Sequence, residues 1–262
     1  MLVQKLIDLA LIRKTKRKIR GVVRKTPLQE SINYSQKYNS KIFFKREDLQ
    51  KVKSFKIRGA YTKILSIEKT EAKNGLVCAS AGNHAQGFAV SCSLLDYTGT
   101  VFMPSTTPSL KVGLVKKFGG KNITIKLEGE NFSQAYKSAS DYCKSHKKTF
   151  IHPFDDIKVI EGQATLFLEI IEQLKNPIDY IFIPIGGGGL ISGAINIFKQ
   201  LSPKTKIIGI EPAGAPSMKE SILKDKIIKL DKIDNFVDGA AVKKIGNIAF
   251  EFCKIYLDDL LV

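Results

Sequence analysis

The stretch YIFIPIGGGG at residues 180–189 decides the fold, because six apolar or aromatic residues run directly into four glycines. An apolar helical pattern over residues 190–201 follows at once. A buried strand that ends in glycines and opens a helix is a typical anion site, since bare backbone N–H groups and the positive end of the helix dipole meet there. The stretch therefore predicts a buried strand, a phosphate-binding turn and a helix.

Two classes of phosphate ligand fit this turn. A dinucleotide, as in an NAD(P)-dependent enzyme, suits the spacing Gly187-x-Gly189-x-x-Ser192 with Glu211 at the end of the next apolar run. However, the third glycine of that motif is absent, and the motif lies deep inside the chain. Pyridoxal phosphate is the other candidate, and it requires a lysine that holds its aldehyde as a Schiff base.

The composition narrows the classes of partner. The 262 residues are enough for a large core in one or two domains, and the net charge is +17. The basic residues are 36 Lys and only 6 Arg, spread along the chain without a nucleic-acid-binding motif. We therefore expect no specific nucleic-acid partner, although a basic interaction protein remains the alternative from a different class.

Neither a membrane span nor a secretory signal is predicted. No apolar run approaches membrane-spanning length, and residues 2–12 are interrupted by Lys5 and Asp8. The basic cluster at residues 13–20 follows this stretch, whereas a secretory signal has its basic residues first. We expect a cytoplasmic protein that has no membrane partner.

The cysteines predict neither disulfides nor a metal centre. Cys78, Cys92, Cys143 and Cys253 are far apart and show no metal-ligand spacing. We interpret them as reduced thiols of a cytosolic core.

Short apolar runs alternate with helical patterns, as in parallel sheets covered by helices on both faces. Strands are predicted at residues 76–80, 100–103, 123–127, 150–152, 180–185 and 206–210. Helices are predicted at residues 85–95, 109–118, 132–147, 157–174 and 190–201. We expect an α/β fold with two open, twisted, parallel-type sheets. Chain crossings near residues 60 and 150 would give a small α/β domain over 60–150 and a larger cofactor-binding domain from 1–59 plus 151–262.

One lysine stands out by its setting. Lys56 lies in SFKIRGA at residues 54–60, at the expected start of a helix and beside Phe55. A helix N-terminus lowers the pKa of a lysine and favours the free amine. A second strand-to-helix turn, SAGNH at residues 80–84, offers backbone donors suited to a carboxylate. On its own, each residue has a second interpretation. Lys56 is then an ordinary lysine at a helix start, and His84 is a histidine with a structural role.

Together the three segments resemble the fold-type II pyridoxal-phosphate enzymes, which share the tryptophan synthase β-like fold, and most closely their threonine ammonia-lyase (threonine dehydratase) branch. The resemblance runs from TPL at residues 26–28 to YLDD at residues 256–259. It includes HPFD at 152–155 and DGAAV at 238–242, and SAGNHAQG at 80–87 is typical of the dehydratase branch.

The resemblance implies a role for each candidate residue. Lys56 would hold the cofactor aldehyde and remove the substrate α-proton, Phe55 would lie against the cofactor ring, and Asn83 would contact its 3′-oxygen. The phosphate would lie on Gly186, Gly187, Gly188 and Gly189, with Gly239 lining the site near the imine. The substrate carboxylate would be held by the loop of Ser80, Ala81, Gly82 and His84.

The implied reaction is the conversion of L-threonine to 2-oxobutanoate and ammonia, the first step of isoleucine biosynthesis. A serine dehydratase or serine racemase is the close alternative, but Ala81 stands where racemases carry a second, proton-transferring serine. Glu211 and Ala215 match the divalent-ion site of such racemases, whereas Ser217 replaces its aspartate, so no metal is expected. The partner is a small amino acid, and the complete protein is expected to be a homo-oligomer.

The family's chain continues beyond the equivalent of Val262. The additional part supplies a serine or cysteine that bonds the pyridine nitrogen, and elements that close the larger sheet. The resemblance therefore implies that this chain is truncated at its C-terminus, with an uncovered apolar face, low stability and weak activity. An inactive remnant is the corresponding alternative.

Overall fold

The computed structural model describes residues 5–262. Residues 1–4, which open the predicted larger domain and the stretch considered as a targeting signal, lie outside the described residues. The helices are α1 (Leu9–Lys18), α2 (Ile32–Lys37), α3 (Lys56–Leu65), α4 (Lys69–Lys73), α5 (Asn83–Leu95), α6 (Ser109–Gly119), α7 (Phe132–Ser145), α8 (Ile157–Gln173), α9 (Gly189–Leu201), α10 (Ser217–Leu223) and α11 (Asn247–Tyr256). The strands are β1 (Leu28–Glu30), β2 (Phe43–Lys45), β3 (Leu76–Ala79), β4 (Gly99–Met103), β5 (Ile123–Leu127), β6 (Thr149–Phe150), β7 (Tyr180–Pro184), β8 (Lys206–Ile210) and β9 (Asp259–Leu261).

Two parallel sheets organise the fold. We call each sheet with the helices packed on it a lobe. The sheet of the smaller lobe has the strand order β5-β4-β3-β6, and the sheet of the larger lobe has the order β7-β8-β9, with every pair parallel. The predicted α/β class is confirmed. The antiparallel pair β1-β2 was not predicted, since two strands of three residues carry little periodic signal.

Alternation along β3 shows how the smaller sheet is covered on both faces. Leu76 and Cys78 pack in a core with Phe88 of α5, whereas Val77 and Ala79 pack in another core with α7. Successive strand residues point to opposite faces, so a four-residue apolar run serves both helical layers. In the larger lobe, α1, α8, α9 and α11 contribute to one core.

Helix α3 crosses α8 at glycines. A Cβ at Gly59 would collide with the Val159 and Gln163 side chains, and a Cβ at Gly162 would collide with the α3 backbone at Arg58. The two backbones therefore approach closely only because neither glycine has a side chain. The predicted domain boundary at residue 60 falls inside α3, and the division into two domains remains a prediction.

The prediction that the strand before the glycines is buried is wrong for one of its two faces. Strand β7 lies at the edge of its sheet, and Tyr180 and Phe182 are 60% and 61% exposed. Their rings stack on each other, and Leu261 of β9 lies on the same exposed face. Only the face that carries Ile183 is buried. A continuous apolar run does not distinguish burial on one face from burial on two.

The other element predictions hold to within two residues, with one displaced strand. The strand expected at residues 150–152 forms at 149–150, because the chain turns away after Ile151 donates to the Val77 carbonyl and reaches Pro153, which has no N–H. The four cysteines are buried and free of disulfides, and burial raises the pKa of each thiol. Within residues 5–262 no helix is both long and apolar enough to cross a membrane.

Candidate active site

Lys56 is the first residue of α3, as predicted. Its Nζ donates to the Pro153 carbonyl at 3.0 Å and lies 5.4 Å from the centre of the Phe55 ring. Burial lowers the pKa of Lys56 to about 8. Desolvation is the cause, and it makes this amine easier to deprotonate than an ordinary lysine.

The tetraglycine turn forms the beginning of α9. Gly188 has φ +91° and is the N-cap, and the first helical bond runs from the Ser192 N–H to the Gly188 carbonyl. The N–H groups of the first turn have no carbonyl within the helix to bind. A Cβ at Gly187 would overlap the Phe154 ring, and a Cβ at Gly188 would overlap Ala249. The glycines thus allow close packing behind the turn while its N–H groups remain available to an anion.

The second turn leads from β3 into α5. The Ser80 N–H donates to the Phe102 carbonyl, and the Gly82 N–H donates to Ser80 Oγ at 3.2 Å. Asn83, the first residue of α5, is exposed. A Cβ at Gly82 would meet no atom within 4 Å, so this glycine adjoins open space rather than protein.

His84 is buried beneath this turn. Its Nε2 lies 3.1 Å from the Ile151 carbonyl, which assigns the proton to Nε2, and its buried Nδ1 has no hydrogen-bond partner among the described residues. Burial, with a contribution from the nearby Lys56 charge, lowers the pKa of His84 to about 3. The ring is therefore neutral at physiological pH and brings no positive charge to a substrate.

Residues 151–155, which we call the strap, bring the three predicted segments together. Ile151 contacts His84 and Pro153 contacts Lys56, as given above. Phe154 packs beneath the tetraglycine turn, where a Cβ at Gly189 would lie 3.0 Å from its Cβ and carbonyl oxygen. This role of the HPFD segment within the strap was not predicted from the sequence. A proline directly after a strand was the available signal.

The strap is held in turn by its two polar residues. His152 Nδ1 accepts from the N–H groups of Phe154 at 3.3 Å and Asp155 at 2.7 Å, and burial lowers the pKa of His152 to about 4. Asp155 caps α11 by accepting from the N–H groups of Asn247 and Ile248, both at 2.9 Å. These bonds fix the strap between the smaller sheet and the N-terminus of α11.

Helix α11 and the 238–242 segment surround the turn from the other side. The Gly246 N–H donates to the Gly187 carbonyl at 3.0 Å, and a Cβ at Gly186 would lie 3.1 Å from Ala240 Cα. Gly239 therefore lies next to the turn, and it too adjoins open space, since a Cβ there would meet no atom within 4 Å.

These features fit a phosphorylated aldehyde. The free N–H groups suit a phosphate, Lys56 suits an aldehyde, and Gly82 and Gly239 leave room at the rim. No contact assigns Phe55, Asn83, Ser80 or Ala81 to a ligand, so their individual roles remain predictions.

Glu211 has a structural position. Its carboxylate accepts from the N–H groups of Met218 at 2.7 Å and Lys219 at 2.9 Å, and so caps α10. Burial raises its pKa, and these bonds oppose that rise. Among residues 5–262 no group of three or more His, Cys, Asp or Glu side chains could hold a metal ion.

Sequence comparison identifies the family of this chain. Residues 19–262 match the family described as pyridoxal-phosphate dependent enzyme. The biosynthetic L-threonine dehydratase IlvA of Halalkalibacterium halodurans is 52% identical over 244 residues, which are 93% of this chain and 59% of that protein. The Bacillus subtilis IlvA is 49% identical over 98% of this chain and 61% of its own length. The chain thus spans about 60% of the length of these relatives.

Solved structures show the same likeness. Threonine deaminase isoform 2 of Solanum lycopersicum has a TM-score of 0.90 and 38% identity, over 100% of this chain and 75% of that one. Maize serine racemase has a TM-score of 0.92 and 31% identity, over 98% of this chain and 77% of that one. The dinucleotide alternative is set aside, and the chain belongs to the pyridoxal-phosphate dependent enzyme family.

Proposed function

We propose that this chain carries a pyridoxal-phosphate-dependent threonine dehydratase activity, which converts L-threonine to 2-oxobutanoate and ammonia for isoleucine biosynthesis. The observation that carries the proposal is the strap, because it joins a low-pKa lysine to a glycine turn with free N–H groups. The relatives at about 50% identity are named biosynthetic threonine dehydratases. We also propose a cytoplasmic location and a homo-oligomer for the complete protein.

Lys56 would hold the cofactor and act as the base. With a pKa of about 8, roughly a tenth of the Lys56 amine is unprotonated at pH 7, about 300-fold more than at a pKa of 10.5. The N–H groups at the start of α9 would bind the phosphate. When bound, pyridoxal phosphate supplies an electron sink for the negative charge left by removal of the substrate α-proton.

The turn before α5 would bind the substrate carboxylate. The N–H groups at the start of α5 supply donors and the open space at Gly82 supplies room, while neutral His84 supports the turn from below. Ala81 has no exchangeable side-chain proton, so nothing at that position would return a proton to the opposite face of the substrate. This favours elimination over serine racemisation, which is the second candidate because of the similarity to maize serine racemase.

Borohydride reduction of the protein loaded with pyridoxal phosphate, followed by peptide mapping, tests the lysine assignment. We expect the label on Lys56 and its loss in Lys56→Ala, whereas Lys69→Ala, at an exposed lysine of α4, should retain it. A label on another lysine would contradict the assignment.

Parallel assays of 2-oxobutanoate from L-threonine and of D-serine from L-serine test the reaction. We expect oxoacid with little D-serine, and more D-serine in Ala81→Ser. If the unaltered chain forms D-serine and little oxoacid, the racemase candidate is correct.

A further inference from the structure

A buried cluster of four charged side chains lies on the far side of α3 from Lys56. We call Lys45, Glu47, Arg58 and Glu169 the charge cluster. Arg58 is fully buried, and the side chains of Lys45 and Glu169 are only 7% and 5% exposed. The two positive and two negative charges balance. The sequence analysis did not identify this cluster, because its members come from three separate segments.

Arg58 is held by two forks, that is, by a pair of hydrogen bonds to each of two carboxylates. Its Nε and Nη2 each donate to Glu47 at 2.8 Å, and its Nη1 and Nη2 donate to Glu169 at 2.8 Å and 3.0 Å. Nη1 also donates to Thr165 Oγ1 at 3.2 Å. Burial alone would lower the pKa of Arg58, but both carboxylates raise it, so the guanidinium remains charged. A planar guanidinium held from two sides has a single orientation.

Lys45 completes the cluster. Its Nζ donates to Glu169 at 2.7 Å, to the Thr26 carbonyl at 2.7 Å and to Gln173 at 2.8 Å, so its three protons are all used. Burial raises the pKa of Glu169, but the bonds from Arg58 and Lys45 outweigh that effect, and the pKa lies below its usual value. Glu169 is therefore ionised and bound by both cations.

The cluster joins the same two helices that determine the Lys56 contact. Lys56 and Arg58 are two residues apart on α3, about 200° around the helix axis, so they point to opposite sides. The acceptor of the Lys56 amine, Pro153, lies in the strap that leads directly into α8, and Glu169 lies on α8. Because α3 and α8 also cross at Gly59 and Gly162, a small rotation of α3 would move Lys56 away from Pro153 and into water.

We propose that the Arg58–Glu169 pair is a positioning device that sets the orientation of Lys56 by locking α3 against α8. The pair serves to fix the orientation of the helices rather than to add stability, because a buried ion pair contributes little net stability compared with apolar side chains of the same shape. The inference rests on the proposed function only in that Lys56 is the cofactor lysine. Arg58 and Glu169 act through Lys56, so they are positioning residues and not catalytic ones.

The test measures the Lys56 amine directly in the protein without cofactor. The rate of reductive methylation of Lys56 is followed against pH by peptide mass spectrometry in Arg58→Lys and Glu169→Asp. Both changes keep the charge and break the forks, so the electrostatic balance around Lys56 is retained. We expect the labelling midpoint to rise by about one pH unit or more, because an amine that reaches water keeps its proton to a higher pH.

Two matched variants separate positioning from a loss of fold stability. Glu172→Asp makes the same change on α8, at a carboxylate that pairs with Lys16 of α1 instead of α3. Val101→Ala weakens the core of the smaller lobe, away from α8. An unchanged midpoint in both cluster variants, or an equal rise in Glu172→Asp and Val101→Ala, would overturn the proposal. If borohydride does not label Lys56 in the unaltered protein, the cofactor role is refuted. The labelling midpoints of the cluster variants and the controls can still be compared, because they are measured without cofactor.

Discussion

Replacing Lys56 with methionine is expected to make the cofactor-free protein more stable. The ammonium is held in a partly buried position where its pKa is about 8, compared with 10.5 for an unperturbed lysine. One pKa unit corresponds to about 1.4 kcal/mol, so this placement costs at most about 3.5 kcal/mol at neutral pH. Solvent screening and loss of the bond to Pro153 reduce the net gain in Lys56→Met to about 1–2 kcal/mol.

The gain should depend on pH in a defined direction. Below pH 8 both the folded and the unfolded protein carry the Lys56 proton, so the full cost is present. Between pH 8 and 10.5 the folded protein loses that proton while the unfolded chain keeps it. The unfolding free energy of the unaltered protein therefore rises through this interval, and the advantage of Lys56→Met shrinks.

Urea unfolding at about pH 7 and about pH 9.5 measures both effects, since the pH values lie on either side of the shifted pKa. Lys69→Met, at an exposed lysine of α4, is the matched control and should change stability by less than about 0.5 kcal/mol. If Lys56→Met is less stable than the unaltered protein at pH 7, or if its gain is equal at both pH values, burial does not destabilise the amine and the reasoning is refuted.

Three further predictions concern the supports of the site. Gly187→Ala should place its Cβ against the Phe154 ring, which should lower the unfolding free energy by about 2 kcal/mol and abolish the pyridoxal absorbance band. The control Gly113→Ala, at a helical glycine that faces open space, should raise the unfolding free energy by up to about 1 kcal/mol in thermal unfolding. Asp155→Ala should uncap α11 and cost about 1–2 kcal/mol, with faster amide exchange at that helix start; unchanged exchange would contradict the capping role. Because burial lowers the pKa of His84 from 6.5 to about 3, the unfolding free energy should decline as pH falls below 6.5, and His84→Gln should weaken that decline.

The sequence predicted the parts of the site that lie within one segment. The tetraglycine turn, the helix that begins at Lys56 and the turn before α5 are each local patterns of apolar runs, glycines and short polar residues. The interpretation of His84 as a structural residue is supported by its hydrogen bond to the Ile151 carbonyl. Sequence reasoning did not predict why Lys56 has a low pKa, because burial depends on residues far away in the chain.

The features that were missed depend on tertiary contacts. Lys56 and Pro153 are 97 residues apart, and Arg58 and Glu169 are 111 residues apart. Glu169 lies beside the apolar Leu168 and Ile170 in α8, and a single sequence does not show which cations its carboxylate meets. The exposure of Phe182 likewise depends on which strands flank β7, and no property of the run itself contains that information.

The strap also links the two sheets to each other. Ile151 is bonded to Val77 in the smaller sheet, while Asp155 is bonded to α11 of the larger lobe, so the lobes are fastened together at this edge of the site. On the opposite rim, the contact between α6 and the 238–242 segment is an exposed ion pair of Lys111 with Asp238, which is weak in water. Breaking the Lys111–Asp238 pair would therefore cost little, whereas separating the two sheets at the strap would break several backbone hydrogen bonds.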